Sequence, residues 1–505
     1  MAWFMIWKLI INNAGIYDNG EHMYVDILRQ NKVWRKTKII ATVGPASSTS
    51  YQIEKMIDAG VDIFRLNMSH GSAESHRKVA SLIRRISKEK GSNVAILVDL
   101  CGPKIRLGKL PEGKITIVDG QDVTLVCCDS VAKDEICTSY KQLADDVKKD
   151  ERIFIDDGHI ELIVKSVNKG RVECNVVSGG MISDHKGMNL PDSRISIDSF
   201  TNKDKKDAET AIEIGADFIA LSFVRTAGDI ILLKDYLEKR QSRIPVIAKI
   251  EKPEALDNID EILEESFGIM VARGDLGIEL PAEKVPLVQE ELVLKARSYC
   301  RPVIVATQML ESMINNQKPT RAEVGDVAHA AMSSADAVML SAETASGRYP
   351  LESIRMMDVI VREIERSQLN RGYYFKIKDN MPARGGNIER YAVANAATRL
   401  VKDLNLKAII IPTRSSATAK VIAASRPLAP LLGICSDEEV LRRMQLLWGV
   451  VPIGLDSETI QNWKGLCKEI SGRCKIEIAN GSVLLVSGFS DDNKSEPVIK
   501  VINLE

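Results

Sequence analysis

Eight short runs of apolar and β-branched residues constrain this chain more than any other feature: residues 37–43, 63–68, 94–99, 218–224, 246–251, 269–272, 303–307 and 337–341. Gly, Pro or a charge bounds each run, and amphipathic stretches such as 51–59, 73–89, 253–265 and 351–366 lie between most of them. Continuous apolar runs of this length read as parallel strands buried on both faces, with helices covering the outside. Eight such units predict a closed (β/α)8 TIM barrel. An open doubly wound sheet fits less well, because no GxGxxG follows the first run.

The pattern breaks between the third and fourth runs. Alternating segments at 115–118, 123–126, 153–155, 159–167 and 171–177, punctuated by Asp-Gly and Asn-Lys-Gly turns, predict an inserted β-rich domain. Its place after the third strand sets it over the mouth of the barrel, where a lid that excludes water belongs. After residue 366, a Pro-, Gly- and Arg-bearing stretch leads into a second alternation with strands expected at 408–411, 431–434, 450–453, 483–486 and 498–502. The expected organisation is therefore an N-terminal segment (1–34), a barrel (35–102 and 191–366), a lid (103–190) and a C-terminal α/β open-sheet domain (367–505). At 505 residues the chain is long enough for several cores.

Charge excludes some partners. Lys plus Arg (68) nearly balances Asp plus Glu (69), so no overall field draws the chain to nucleic acid or an anionic membrane. The nine cysteines form no CxxC pair or His-Cys cluster, which fits a reduced cytoplasmic protein without a zinc site. Residues 1–11 are apolar but interrupted by Lys8 and lack a basic lead-in, so a docked helix is expected there rather than a signal peptide. No run reaches membrane-spanning length.

Polar chemistry concentrates where the runs end, as it does in barrel enzymes. Lys249 and Glu251 lie two apart and share a face. Asp275 follows the next run, and two carboxylates there suit Mg²⁺ completing its shell with other oxygens; an interior Lys249–Glu251 ion pair is the structural alternative. Gly274 and Gly277 let backbone approach a ligand, and Thr307 offers a hydroxyl one strand further on. Arg65, Asn67 and Ser69 alternate toward one side, a guanidinium, amide and hydroxyl suited to phosphate, with His70 beside them. Asp99, Leu100 and Cys101 lead into Gly102-Pro103-Lys104-Ile105-Arg106, a hinge sequence with an anion-reaching arginine.

The segments Ala-Thr-Val-Gly-Pro-Ala-Ser, Arg-Leu-Asn-Met-Ser-His-Gly, Ala-Lys-Ile-Glu, Met-Val-Ala-Arg-Gly-Asp-Leu-Gly, Ala-Thr-Gln-Met-Leu-Glu-Ser-Met and Leu-Ser-Ala-Glu-Thr-Ala resemble pyruvate kinase from about residue 36 onward. The resemblance implies phosphoryl transfer from phosphoenolpyruvate to ADP, giving pyruvate and ATP, by a cytoplasmic homotetramer. It implies Arg65, Lys249 and Thr307 as catalytic residues, with Gly274 and Asp275 joining them on the substrate, and Glu251 and Asp275 on Mg²⁺, for which Mn²⁺ can substitute. Asn67, His70, Arg106 and Lys186 match nucleotide-contacting positions. Asn67, Ser69 and Asp99 match the family's K⁺ site, but Leu100 and Lys104 stand where cation-dependent members carry Thr and Glu. That resembles the K⁺-independent branch, in which a tethered ammonium replaces the ion. Thr413, Arg414, Ser415, Ser416 and Thr418 resemble the sugar-phosphate effector loop. Ala417 replaces the Arg of fructose bisphosphate binders, and acidic Asp491 and Asp492 follow in the second loop, so a monophosphorylated effector or none is expected. The alternatives are a phosphoenolpyruvate or pyruvate barrel lyase and a catalytically silent paralogue.

Overall fold

The structure is a computed structural model that describes residues 35–127, 135–370, 388–463, 465–466, 469–470, 482–489 and 497–503. The expected helix at 1–11 and the acidic pair Asp491 and Asp492 lie outside these residues. In chain order the barrel begins with β1 (Lys38–Thr42), β2 (Ile63–Asn67) and β3 (Ala95–Asp99). The inserted domain holds β4 (Lys114–Ile117), β5 (Asp122–Val126), β6 (Glu135–Cys137), β7 (Arg152–Ile155), β8 (Ile160–Asn168), β9 (Arg171–Ser178), β10 (Gly180–Ser183) and β11 (Met188–Asn189). The barrel resumes with β12 (Phe218–Leu221), β13 (Val246–Ile250), β14 (Gly268–Ala272), β15 (Val303–Ala306) and β16 (Ala337–Leu340). These eight strands close in the order β1-β16-β15-β14-β13-β12-β3-β2, every pair parallel.

Alternation along each strand explains the closure. Ile40, Ile63, Leu97, Phe218, Ala220, Ile247, Met270 and Ile304 fill the interior, while Ile39, Phe64, Val98, Ile219 and Ala248 pack outward against the helices. Two residues beyond the interior positions the same register turns polar: Ile40 leads to Thr42, Ile63 to Arg65, Leu97 to Asp99, Ala220 to Ser222 and Ile247 to Lys249. The apolar layers below thus hold the polar layer at the mouth. Burying a side chain such as Phe218 contributes about 2–3 kcal/mol.

The lid core is separate, built from Leu125, Ile153, Leu162, Val172 and their neighbours in a six-stranded sheet and a β4–β10 pair. Strands β6, β10 and β11 escape the sequence pattern because each has only two to four residues, too few to show an alternation. The stretch 253–265, expected as one helix, is two, Pro253–Asp257 and Ile259–Glu265, meeting at Asn258. Arg273–Glu279, expected as the end of a strand, is a short helix.

The C-terminal sheet has β17 (Ile409–Pro412), β18 (Leu431–Cys435), β19 (Val450–Gly454), β20 (Ser482–Ser487) and β21 (Val498–Asn503) in the order β19-β18-β17-β20-β21. It is mixed: β20 and β21 pair antiparallel, the rest parallel. This domain closes the floor of the barrel, opposite the polar mouth. Leu446 joins the interior cluster, Lys38 Nζ donates to the Val450 carbonyl (2.7 Å), and Arg426 pairs with Asp336 (2.8 Å) where both are buried.

Candidate active site

Asp99 is the hub. Its Oδ2 accepts from Arg65 Nε at 2.7 Å and its Oδ1 lies 3.3 Å from the Lys249 ammonium. Arg65 also donates to Thr42 Oγ1 (3.0 Å). Lys249 donates to Ser222 Oγ (2.6 Å), whose hydroxyl in turn donates to the Leu100 carbonyl (2.7 Å), and lies 2.9 Å from Glu251 Oε1. The other Glu251 oxygen accepts the Phe223 N–H (2.8 Å). The ion pair raised as the structural alternative is therefore present, but within a network of two acids and two bases.

Burial would raise the Asp99 pKa, yet Lys249 and Arg65 outweigh it and hold the carboxyl below its usual range. For Lys249, burial works to lower the pKa and is overcome by Asp99 and Glu251, so the ammonium stays charged. Glu251 goes the other way: burial pushes it up, Asp275 adds to the rise and Lys249 opposes it. Asp275 and Glu251 are thus like charges, the one pushing the pKa of the other upward. A divalent cation between them would relieve that repulsion, so the donor set fits Mg²⁺. Among the described residues no three or more His, Cys, Asp or Glu cluster to hold a metal.

Backbone strain concentrates here. Phe223, Thr307 and Gln308 all adopt left-handed conformations (φ 54°, 67° and 52°) immediately after β12 and β15. Thr307 Oγ1 accepts the Gly274 N–H (2.7 Å) and donates to the Ala306 carbonyl (2.6 Å). A Cβ on Gly274 would stand 3.3 Å from Thr307 Oγ1, so glycine lets the two strand ends approach.

The remaining expected residues line the rim. Asn67 sits opposite Asp99 in the β2–β3 register and its Oδ1 accepts the Ser69 N–H (3.0 Å); His70 is exposed. Gly102 has φ 65°, and a Cβ there would meet the Phe223 ring at 2.8 Å, so the hinge needs glycine. Beyond it a cleft of about 300 Å³ opens between lid and barrel, lined by Lys104, Arg106, Asp156, Lys186, Lys252 and Asp275 among others. Lys104 is exposed on its wall, Arg106 donates to the His185 carbonyl (2.8 Å), and Lys186 pairs with Asp156 (2.7 Å). A larger cavity, about 710 Å³, lies at the barrel floor beside Phe267, Cys300 and Lys420; it is bounded by the N-terminal ends of the strands, and the polar network does not face it.

In the loop expected to take an effector, Ser416 (φ 67°) precedes the helix Ala417–Ala424, Thr413 is half-buried, and Arg414 and Ser415 are exposed. Thr418 is buried and its hydroxyl serves the Phe489 backbone at 3.3 Å, which ties this loop to the second one. Sequence reasoning missed Ser222, Thr42, the Phe223 N–H and the buried Lys252–Glu279 pair (2.6 Å). Ser222 and Thr42 were legible by extending the interior register of their strands two residues; the other two depend on tertiary approach.

Fold and site together define a lidded barrel enzyme with two cations and a carboxylate pair converging at its mouth, a phosphotransferase arrangement. Residues 34–354 match the model for the pyruvate kinase barrel domain and residues 391–493 that for the pyruvate kinase alpha/beta domain. The chain is 42% identical over 423 residues to a pyruvate kinase of Sporosarcina psychrophila (83% of this chain, 72% of the relative). It is likewise 42% identical over 430 residues to one of Thermococcus litoralis (83% and 89%). A crystal structure of a pyruvate kinase from Cryptosporidium parvum superposes with a TM-score of 0.86 at 32% identity, covering 93% of this chain and 96% of that one. The chain belongs to the pyruvate kinase family.

Proposed function

We propose that the chain transfers the phosphoryl group of phosphoenolpyruvate to ADP, giving pyruvate and ATP, with the residues of the barrel mouth in the following roles. The observation that carries this reading is the convergence of Arg65 and Lys249 on Asp99, which aims two cations at one point of the mouth. Such preorganised charge stabilises a transferring phosphoryl group without reorganisation at the moment of reaction. Arg65 and Lys249 grip that group, and Lys249 also offsets charge on the enolate oxygen left behind. Glu251 and Asp275 would hold Mg²⁺, or Mn²⁺ in its place, which when bound supplies Lewis-acid charge to the phosphoryl and enolate oxygens. The backbone of Gly274 and Asp275, with Thr307, receives the substrate carboxylate. Thr307 lies where a proton must reach the enolate carbon, delivered through water.

Arg106 and Lys186 on the cleft wall, with Asn67 and His70, take the nucleotide. The lid above them excludes water that would otherwise accept the phosphoryl group. Lys104 supplies the charge that K⁺ provides in cation-dependent relatives. A homotetramer in the cytoplasm completes the proposal; among the described residues no helix is long and apolar enough to cross a membrane.

A lactate dehydrogenase-coupled assay with and without ADP tests the assignment. Pyruvate formation that needs ADP is expected. ADP-independent pyruvate release would favour a lyase, and no turnover with Mg²⁺ at any effector concentration would favour a silent paralogue.

A further inference from the structure

Arg273 adjoins Gly274 and Asp275 in sequence, yet its buried side chain turns toward the end of β15. One guanidinium nitrogen donates to both the Thr307 carbonyl (2.9 Å) and the Gln308 carbonyl (3.0 Å). Another lies 3.5 Å from Asp326 on the helix Arg321–Met332. The two carbonyls it holds belong to the two consecutive left-handed residues of the site. A β-branched residue in that region is disfavoured, and such strain persists only where the surroundings over-determine it. Arg273 is the side chain that does so. Its Nε is buried without a partner. Leaving a buried donor unpaired is costly, which a purely stabilising role does not explain.

The strained turn has one chemical consequence. It sets Thr307 Oγ1 2.7 Å from the N–H of Gly274, the residue before Asp275, with the hydroxyl donating to the Ala306 carbonyl (2.6 Å). We propose that Arg273 is a positioning residue for carbon protonation: its guanidinium locks the Thr307–Gln308 turn and thereby aims the Thr307 hydroxyl at the enolate carbon. This rests on the role assigned to Thr307 above. In that step the enolate π pair forms a C–H bond to the methylene carbon, the O–H bond of the delivering water breaks with its electron pair left on that oxygen, which takes a replacement proton from solvent, and the enolate oxygen becomes the ketone. The reverse step removes a proton from the pyruvate methyl group. Asp326 lies 3.5 Å from the other guanidinium nitrogen and holds the planar group in direction; a lysine ammonium, a point charge on a flexible stem, would lose that second tie.

The test follows deuterium uptake into the pyruvate methyl group by NMR, with the full chain in D₂O, Mg²⁺ and ATP present. Arg273→Met is expected to slow uptake by about 10²-fold and Arg273→Lys by about 10-fold, with the KM for ADP changed less than about twofold, as for loss of an interaction made only in one step. Thermal melting accompanies each variant, and if Arg273→Met does not fold, Arg273→Lys decides. Wild-type uptake in a folded Arg273 variant, while Thr307→Val is slow, overturns the role of Arg273 alone. Undiminished uptake in Thr307→Val overturns the reading of Thr307 itself and this inference with it.

Discussion

Asp99 Oδ1 lies 3.3 Å from the Lys249 ammonium, and that buried pair sets the electrostatics of the barrel mouth. The same carboxylate anchors Arg65 through its other oxygen. One acid at the end of β3 thus orients two cations from β2 and β13, so neither relies on the substrate for its direction.

Lys249→Met is expected to lower turnover on the order of 10² to 10³-fold while phosphoenolpyruvate still binds, because a preorganised charge acts mainly on the transition state. It also leaves Asp99 with Arg65 alone and Glu251 without its cation, which should cost stability by about 3 kcal/mol. Steady-state kinetics and substrate quenching of intrinsic fluorescence separate the two effects. Near-wild-type turnover would sink the assignment of Lys249.

Replacing K⁺ by a bulky organic cation should leave activity nearly unchanged. At an effective dielectric near 20, a unit charge about 4 Å from the phosphoryl group is worth roughly 4 kcal/mol, enough for a tethered ammonium to stand in for an ion. Lys104 lies on the cleft wall, exposed, and able to swing inward. Lys104→Glu should make the enzyme depend on K⁺. Loss of most activity in the wild-type chain without K⁺ would refute the idea.

Sugar monophosphates should shift the phosphoenolpyruvate saturation curve more than bisphosphates, or neither should act. The helix Ala417–Ala424 begins with a buried alanine where bisphosphate binders carry Arg, and Thr418 is engaged by Phe489. Activation by fructose bisphosphate at lower concentration than by any monophosphate would contradict this.

Lys36 gives the chain a rise of stability with pH. Burial lowers its pKa to about 8 from 10.5, with Glu365 opposing the fall, so between those values the unfolded chain holds a proton that the folded chain has released. Stability should therefore increase as pH climbs from about 8 to 10.5, by at most about 3 kcal/mol from this group. Urea denaturation of wild type and Lys36→Met over that range reads the difference in slope. Equal slopes would show that Lys36 is not buried as a cation beside Trp448, whose ring centroid lies 4.8 Å from its ammonium.

The eight barrel strands were legible because each is buried on both faces and so carries an uninterrupted apolar run; periodicity alone also placed Lys249, Arg65, Asp99 and Glu251 at strand ends. The lid strands β6, β10 and β11 were not legible, since their pairing comes from partners distant in sequence. The antiparallel edge strand β21 was expected as a strand, but its direction depends on the turn before it and on which edge remains open.

What the sequence determined by itself is therefore the barrel, its two additional domains and the residue types at its mouth, because burial periodicity is a local property of the chain. Only the tertiary structure decided that Asp99 binds both cations, that Phe223 caps Glu251 and that Arg273 holds the Thr307–Gln308 turn. Those contacts join residues tens of positions apart. They depend on strand stagger and on left-handed turns whose strain is visible only when the surrounding groups that enforce it are in place.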